Sequence, residues 1–278
     1  MPEQIQRAVI NGIDFAWLEK GEGPLLLLLH GFPDSPTGFD AIVEPLVAAG
    51  YRVVVPYMRG YFPTGLAPDG DYSVLALAND VIAFIDYFGE RSACVVGHDW
   101  GGFAAYTAAN MAPDRISRLV VMCVPHLHKT VFSLAQLKKS WYVMFFQLPW
   151  LPEKLVPRQH YRFIDRLYDA WSPNWQRDAA ATTAVKQALS APGALGAALG
   201  YYRAMVRKSS PELRAIMARP TGVRSMVVCG EADGSVGRDQ FAEVHACYES
   251  PFTFLSLPGA GHFPQREAPA LLLDKLIP

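Results

Sequence analysis

One short segment constrains the fold of this chain more than any other: the sequence GHDWGG at residues 97–102, directly after the apolar run of residues 93–96. A short apolar run bounded by turn residues is typical of a buried strand, and residues 103–111 have the composition of a helix. Glycines on both sides of Asp99 allow the backbone to turn sharply between the two elements. The segment therefore predicts a strand, a tight turn that presents a carboxylate, and a helix.

This unit belongs to a longer alternation of strands and helices. A hairpin is expected at residues 5–18, with Asn11 and Gly12 as its turn. The other predicted strands are residues 25–29, 52–55, 93–96, 119–123, 225–229 and 252–257, and the predicted helices are residues 39–49, 74–88, 103–111, about 240–247, and 269–276. Alternation of this kind predicts an α/β fold, with a largely parallel sheet flanked by helices.

The alternation is interrupted between residues 128 and 220, where no strand pattern is present. This segment is rich in aromatic residues and contains four of the six tryptophans. We interpret it as a helical cap inserted between two parts of one core, residues 1–127 and 221–278. Such an insertion is expected above the carboxyl ends of the strands, where open α/β sheets bind ligands.

Composition excludes several classes of protein. The chain has 278 residues, 51% of them hydrophobic, and a net charge of −1, so no basic field indicates a nucleic-acid partner. Residues 1–7 have no apolar signal core, and the leucine run at 25–29 is too short to span a bilayer. We therefore expect a cytoplasmic protein without a membrane partner. The dispersed cysteines are expected to be buried free thiols: Cys94, Cys123, Cys229 and Cys247.

The residue type at position 99 selects the chemistry. A carboxylate that attacked an ester would form a reactive anhydride, whereas its attack on a saturated carbon forms an ordinary ester. That ester can then be hydrolysed as an esterase hydrolyses its acyl-enzyme. Asp99 therefore indicates displacement at a carbon–oxygen or carbon–halogen bond rather than acyl transfer.

Two further segments supply partners for such a nucleophile. The sequence GEADG at 230–234 follows a predicted strand, and of its two carboxylates we favour Asp233 over Glu231, because the later position reaches further above the strand end. The sequence GAGHFP at 259–264 places His262 among small residues after the last strand. His30, in the sequence HGFP at 30–33, is expected to shape its loop rather than act as a base.

Together these motifs resemble those of the α/β-hydrolase-fold epoxide hydrolases, over nearly the whole chain. The resemblance rests on HGFP at 30–33, GHDWGG at 97–102, VPH at 124–126 and GHF at 261–263. It implies an α/β-hydrolase fold with a mostly parallel eight-stranded sheet, and a G-x-S-x-G nucleophile elbow in which Asp replaces Ser. The order Asp99, Asp233, His262 is the nucleophile–acid–histidine order of that fold, and the backbone N–H groups of Phe32 and Trp100 would form the oxyanion hole.

The resemblance extends to the cap. Residues 140–149 and 200–205 are similar to the segments that carry the two ring-opening tyrosines, which map onto Tyr142 and Tyr202. A phenol suits this role because it is protonated near pH 7 and can donate to a developing alkoxide. Tyr201 and Tyr202 are neighbours on one helix, and the residues alone leave open which of them faces the pocket. The loop at 59–70 departs from the family's usual small Gly/Ser stretch, which affects substrate range.

The resemblance implies an epoxide hydrolase that converts an epoxide to a vicinal diol through an ester on Asp99, with no metal or organic cofactor. Its expected partners are a small apolar epoxide and water, and the chain is expected to be a monomer or a homodimer. The pocket is expected to be lined by apolar and aromatic side chains: Phe32, Trp100, Phe145, Phe146 and Leu148. The alternatives are a haloalkane dehalogenase with the same Asp–His–Asp triad and a non-catalytic receptor on the same fold.

Overall fold

A computed structural model describes residues 4–126, 133–207 and 210–277 of the chain and contains one eight-stranded sheet. In chain order the strands are β1 (Gln6–Ile10), β2 (Ile13–Lys20), β3 (Leu25–Leu29), β4 (Arg52–Pro56), β5 (Ala93–His98), β6 (Ile116–Met122), β7 (Ser225–Gly230) and β8 (Phe252–Leu257). Their order across the sheet is β1-β2-β4-β3-β5-β6-β7-β8. β2 is antiparallel to both its neighbours, and every pairing from β4 to β8 is parallel. The predicted fold class is therefore confirmed.

The helices alternate with these strands as predicted. They are α1 (Asp40–Ala48), α2 (Val74–Tyr87), α3 (Trp100–Met111), α4 (Leu134–Lys139), α5 (Trp141–Gln147), α6 (Leu151–Leu155), α7 (Arg158–Trp171), α8 (Thr183–Ser190), α9 (Ala194–Arg207), α10 (Pro211–Met217), α11 (Pro264–Glu267) and α12 (Pro269–Leu276). Short 3₁₀ turns lie at Pro36–Phe39, Pro113–Arg115, Ala179–Thr182, Arg238–Phe241 and Val244–Cys247.

The hairpin formed by β1 and β2 turns where the sequence predicts. Ile10 pairs with Ile13, and Asn11 and Gly12 between them have φ of 49° and 75°. A two-residue hairpin of this type needs positive φ at both positions, which Asn and Gly adopt readily.

Two helix predictions are wrong. α3 begins at Trp100 rather than at residue 103, because the chain turns within Asp99 alone. The helix predicted at about 240–247 is instead a pair of 3₁₀ turns. Its buried side chains, Phe241, Val244 and Cys247, recur every third residue, which is the 3₁₀ period and not the α-helical one.

Alternate residues of the central strands face two separate cores. Leu27 and Leu29 of β3 pack with α2, α3 and the cap, whereas Leu26 and Leu28 pack with α1 and α12. Both faces are covered, which explains why β3 is leucine throughout. All four cysteines are buried and free.

Helices α4 to α10 lie between β6 and β7, where the cap is predicted. The predicted cap boundary at residue 128 lies outside the described residues, so these domain limits stay a prediction. Within α7, Gln159, His160 and Tyr161 have φ of 53°, 54° and 60°. Three consecutive left-handed residues without glycine are strained, at about 1–2 kcal/mol each.

Candidate active site

Asp99 stands at the carboxyl end of β5, on the turn into α3. Its φ of 51° and ψ of −119° are outside the regions that non-glycine residues prefer. The turn also needs small neighbours: a Cβ on Gly97 would lie 2.2 Å from the carbonyl oxygen of Gly101, and a Cβ on Gly101 would lie 2.1 Å from that of Leu29. The glycines of the GHDWGG motif thus allow helix and strand to approach closely while the carboxylate is presented.

The loop after β3 contacts the same carboxylate. The Phe32 N–H donates to Asp99 Oδ1 over 2.8 Å. A Cβ on Gly31 would lie 2.4 Å from that oxygen and 2.6 Å from the Trp100 amide nitrogen. Both predicted oxyanion donors are therefore close to the space beside Asp99 Oδ1, and Gly31 leaves that space open.

His262 lies between two carboxylates. Its Nδ1 is 2.9 Å from Asp233 Oδ2, and its Nε2 is 3.7 Å from Asp99 Oδ2. The N–H groups of Ser235 and Val236 donate to Asp233 Oδ1 over 2.7 and 2.9 Å, which fixes the carboxylate. Asp233 rather than Glu231 thus reaches the histidine.

Glu231, the other carboxylate of that loop, points elsewhere. It accepts a hydrogen bond from Ser256 Oγ over 2.7 Å. This geometry agrees with the expectation that Asp233 reaches further above the strand end than Glu231.

The charges around His262 determine its protonation. Burial alone would lower its pKa, but the charges and hydrogen bonds of Asp233 and Asp99 outweigh burial and raise the pKa to about 10. The free site therefore holds an imidazolium between two carboxylates at neutral pH. Loss of the Asp99 charge would lower the pKa again and make the imidazole a better base.

Two other buried histidines are neutral. Burial lowers the pKa of both His30 and His98 to about 4. His30 Nε2 accepts the Met58 N–H over 3.0 Å, and His98 Nε2 is 2.7 Å from the carbonyl oxygen of His262. Both rings bind backbone groups of loops beside Asp99, which agrees with the structural role predicted for His30.

The cap ties the acid and histidine loops together through one carbonyl group. The Trp171 carbonyl oxygen accepts hydrogen bonds from the N–H groups of Gly234 and His262, over 3.0 and 3.1 Å. A Cβ on Gly234 would lie 2.0 Å from the Ala170 carbonyl oxygen, so the contact between α7 and this loop depends on glycine. The carboxyl end of α7 is thus packed directly against the site.

Two phenols of the cap stand over the carboxylate. The rings of Tyr142 and Tyr202 are 5.9 Å apart and nearly perpendicular, and both residues line one cavity with Asp99. Tyr201 points away, because its hydroxyl donates to the Arg59 carbonyl oxygen over 2.6 Å. The residues alone leave open which of these two tyrosines faces the pocket, and in the structure it is Tyr202.

The two phenols differ in their partners. The Tyr142 hydroxyl is 3.0 Å from Ser235 Oγ, whereas the Tyr202 hydroxyl makes no hydrogen bond of normal geometry with a described residue. Burial, followed by the charge of Asp99, raises the pKa of both phenols. The Ser235 hydroxyl counteracts this rise at Tyr142, and the Trp100 side chain counteracts it at Tyr202. Ser235 was missed by sequence reasoning, although its position two residues after Asp233 was a usable signal.

The cavity over Asp99 has a volume of about 150 Å³. An apolar cavity of this size can hold a benzene molecule. It is lined mainly by apolar side chains, with a few polar groups: Asp99, Trp100, Phe103, Val124, Pro125, Gln136, Ser140, Tyr142, Val143, Tyr202, Met205, Val236 and Gln240.

Of the five side chains expected to line the pocket, Trp100 does so. Phe32 and Phe146 lie behind Tyr202, with ring centroids 5.5 and 5.0 Å from its ring. The expectation is wrong for Phe145, which packs on Phe163, and for Leu148, which is 43% exposed. Leu148 follows the last residue of α5, where the side chain turns outward.

Donor atoms of His98, Cys123 and His262 lie within 4.8 Å of one another and form the one metal-like group in the described part of the chain. A metal would need the thiolate of Cys123, and burial raises the pKa of this thiol well above its usual range. This group is therefore a poor metal site.

Among the described residues, no helix has both the length and the hydropathy needed to cross a bilayer.

Comparison with known proteins agrees with this geometry. The model of the alpha/beta hydrolase fold family matches residues 24–269. The AB hydrolase superfamily protein YfhM of Bacillus subtilis is 37% identical over 210 residues, 73% of each chain. Epoxide hydrolase 4 of Homo sapiens is 31% identical over 281 residues, 96% of this chain and 75% of that protein.

Solved structures share the fold at lower identity. The crystal structure of epoxide hydrolase A from Mycobacterium thermoresistibile has a TM-score of 0.85 at 23% identity, and the match covers 99% of this chain and 97% of that one. The chain therefore belongs to the α/β hydrolases, and within them to the epoxide hydrolase type.

Proposed function

We propose that the chain hydrolyses small apolar epoxides to vicinal diols through a covalent ester on Asp99. One observation carries the proposal: two protonated phenols, Tyr142 and Tyr202, share a small apolar cavity with a carboxylate that is backed by His262. Epoxide opening needs a nucleophile on carbon and an acid on oxygen, and these groups supply both.

In the first step, Asp99 Oδ2 attacks an epoxide carbon, because Oδ1 is engaged by the Phe32 N–H. The carbon–oxygen bond of the ring breaks, and its electron pair passes to the ring oxygen. The phenols hold that oxygen, and one of them transfers its proton to the alkoxide. The product is an alkyl ester of Asp99.

In the second step, water attacks Cγ of the ester. His262 accepts the proton at Nε2, and Asp233 holds the imidazole through Nδ1. Ester formation has by then removed the Asp99 charge, which favours the neutral imidazole. The N–H groups of Phe32 and Trp100 stabilise the oxyanion on Oδ1. Collapse of the intermediate breaks the Cγ–Oδ2 bond; the proton of the added hydroxyl passes to Oδ2 of the leaving diol, and Asp99 is left as a carboxylate that holds the water oxygen. The proton that the imidazolium releases when the Asp99 charge is lost returns to the phenolate left by the first step.

Isotope labelling tests this route. After a single turnover in H₂¹⁸O, the label is expected in the Asp99 carboxylate, read by mass spectrometry of the peptide that contains it. An unlabelled Asp99 after many turnovers would exclude the ester. Asp99→Ala should abolish turnover; retained turnover would contradict the mechanism, and a change in affinity alone would indicate a receptor.

The haloalkane dehalogenase alternative uses the same triad but needs N–H donors for a halide. Trp100 is the only indole among the described residues that line the cavity, and the aromatic side chains that the cap contributes to it are the phenols of Tyr142 and Tyr202. Diol formation from styrene oxide without halide release from bromoalkanes is the expected result. The reverse result would favour the dehalogenase.

A further inference from the structure

The outer surface of the cap carries a concentration of exposed apolar side chains. Seven of the fourteen large hydrophobic residues that are exposed in the described part of the chain lie within residues 134–151. We call them the cap stripe: Leu134, Leu137, Trp141, Met144, Leu148, Trp150 and Leu151. Trp150 is 75% exposed and Trp141 is 52% exposed. Large exposed apolar clusters mark interaction surfaces.

The cap stripe runs along α4 and α5 to the start of α6, where Trp150 and Leu151 lie. Its first five members recur at intervals of three or four residues, which places them on one side of a helical path. On α5 the opposite side carries Tyr142 and Phe146, which are buried towards the site. On α5 one apolar side thus faces the cavity and the other is largely exposed, with Trp141 packed in part against Phe163.

Basic residues flank the cap stripe. Five cations of this region are exposed and form no ion pair with a described acidic residue: Lys138, Lys154, Arg158, Arg162 and Arg166. A groove of about 670 Å³ is lined by Lys138, Trp141 and Arg166, among others, so one cation of α4 and one of α7 adjoin the stripe.

The acids near these cations already have other partners. Glu153 pairs with Arg203, while Asp165 and Asp169 pair with Arg177. The five cations thus present their charge to whatever approaches the cap.

The charge of the whole chain is polarised in the same sense. Residues 128–220 contain 14 Lys and Arg against 5 Asp and Glu, whereas the rest of the chain contains 11 against 21. The net charge near zero is therefore the sum of a basic cap and an acidic core. Such a distribution orients a protein with its cap towards an anionic surface.

We propose that the cap stripe and its five cations bind peripherally to an anionic lipid bilayer. Tryptophan is favoured at the membrane–water interface, apolar side chains insert below the headgroups, and Lys and Arg bind anionic lipid. A second copy of the chain fits less well, because a twofold contact through this face would bring two basic caps together. The expectation of no membrane partner rests on the absence of a membrane-spanning segment. Peripheral binding through three short helices needs no such segment.

Vesicle sedimentation tests the proposal. Vesicles of phosphatidylglycerol and phosphatidylcholine, mixed 1:1, should sediment the full chain at low salt, and phosphatidylcholine alone should not. Raising salt should release the protein. Lys154→Gln should weaken partitioning about fivefold, as expected for one cation. Trp150→Ser should also reduce it.

Matched controls distinguish binding through this surface from nonspecific adsorption of any exposed apolar residue. Val9→Ser and Leu271→Ser remove apolar residues from the surface of the α/β core, outside the cap, where they are 74% and 54% exposed. Both variants should bind as wild type does. Circular dichroism should show that all variants are folded. The proposal fails if anionic vesicles leave the wild type in solution, or if the core controls lose as much binding as Trp150→Ser. Light scattering that shows a dimer dispersed by Trp150→Ser, without vesicle binding, would assign the stripe to a second copy.

Discussion

Removal of the Ser235 hydroxyl should slow formation of the ester and leave its hydrolysis unchanged. Ser235 Oγ lies 3.0 Å from the Tyr142 hydroxyl and is its one hydrogen-bond partner among the described residues. It can therefore donate to the phenolate that forms if Tyr142 is the phenol that gives up its proton. A hydrogen bond to a charged group contributes about 1.5–3 kcal/mol. Ser235→Ala should therefore reduce the rate constant of ester formation roughly 10- to 100-fold.

Single-turnover kinetics measure the two steps separately. Rapid mixing of excess enzyme with an epoxide, followed by acid quench and mass spectrometry of the Asp99 peptide, gives the rates at which the ester appears and decays. Ser235→Thr retains a hydroxyl and should restore much of the rate. Ser256→Ala is a matched control, because that hydroxyl bonds Glu231 outside the site.

A double-mutant comparison identifies which phenol Ser235 supports. In a Tyr142→Phe background, Ser235→Ala should have almost no further effect, whereas in a Tyr202→Phe background it should retain its full effect. Ester formation within twofold of wild type in Ser235→Ala, or equal losses in both steps, would refute the reasoning. Tyr202 would then be the better candidate for the phenol that transfers its proton.

Further predictions concern the base, the glycine beside the carboxylate and the strained turn. His262→Gln should let the ester accumulate, seen as a gain of one epoxide mass on the Asp99 peptide; an unmodified peptide would contradict the role of His262. Because folding raises the pKa of His262 from 6.5 to about 10, its stabilising contribution is complete below pH 6.5 and is lost as pH rises through about 10. Denaturant titrations should show stability falling by up to about 1.4 kcal/mol per pH unit between pH 7 and 9, less steeply in His262→Gln; identical slopes would contradict the shift. Gly31→Ala should lower turnover at least about 100-fold by displacing the Asp99 carboxylate, whereas Gly196→Ala, with open space around its Cβ, should be neutral. His160→Gly should stabilise the chain by about 1 kcal/mol in urea titrations, and destabilisation would contradict the strain at its φ of 54°.

Much of the core could be predicted because its signals are local. The bounds of β3 and β8 match the prediction, since each is a mainly apolar segment between turn residues. Asp233 could be preferred over Glu231 because the later position reaches further above the end of its strand. Signals of this kind need only the chain direction and the strand ends.

The cap was harder because its side chains are placed by contacts between distant segments. The choice between Tyr201 and Tyr202 depends on the Arg59 carbonyl group, more than a hundred residues away. Leu148 is apolar yet exposed, and hydrophobicity alone could not separate the two sides of α5. Ser235 acquires its importance only once Tyr142 is placed opposite it.

The shared carbonyl oxygen of Trp171 limits how a substrate can enter. A movement that lifted the carboxyl end of α7 would break the hydrogen bonds to Gly234 and His262 at once and would pull the base away from its acid. Access by raising the whole cap would therefore dismantle the enzyme at each cycle. The carbonyl group of one cap residue thus sets the spacing between the loop that carries the acid and the loop that carries the base, so the cap is a structural part of the triad and not only a cover over it.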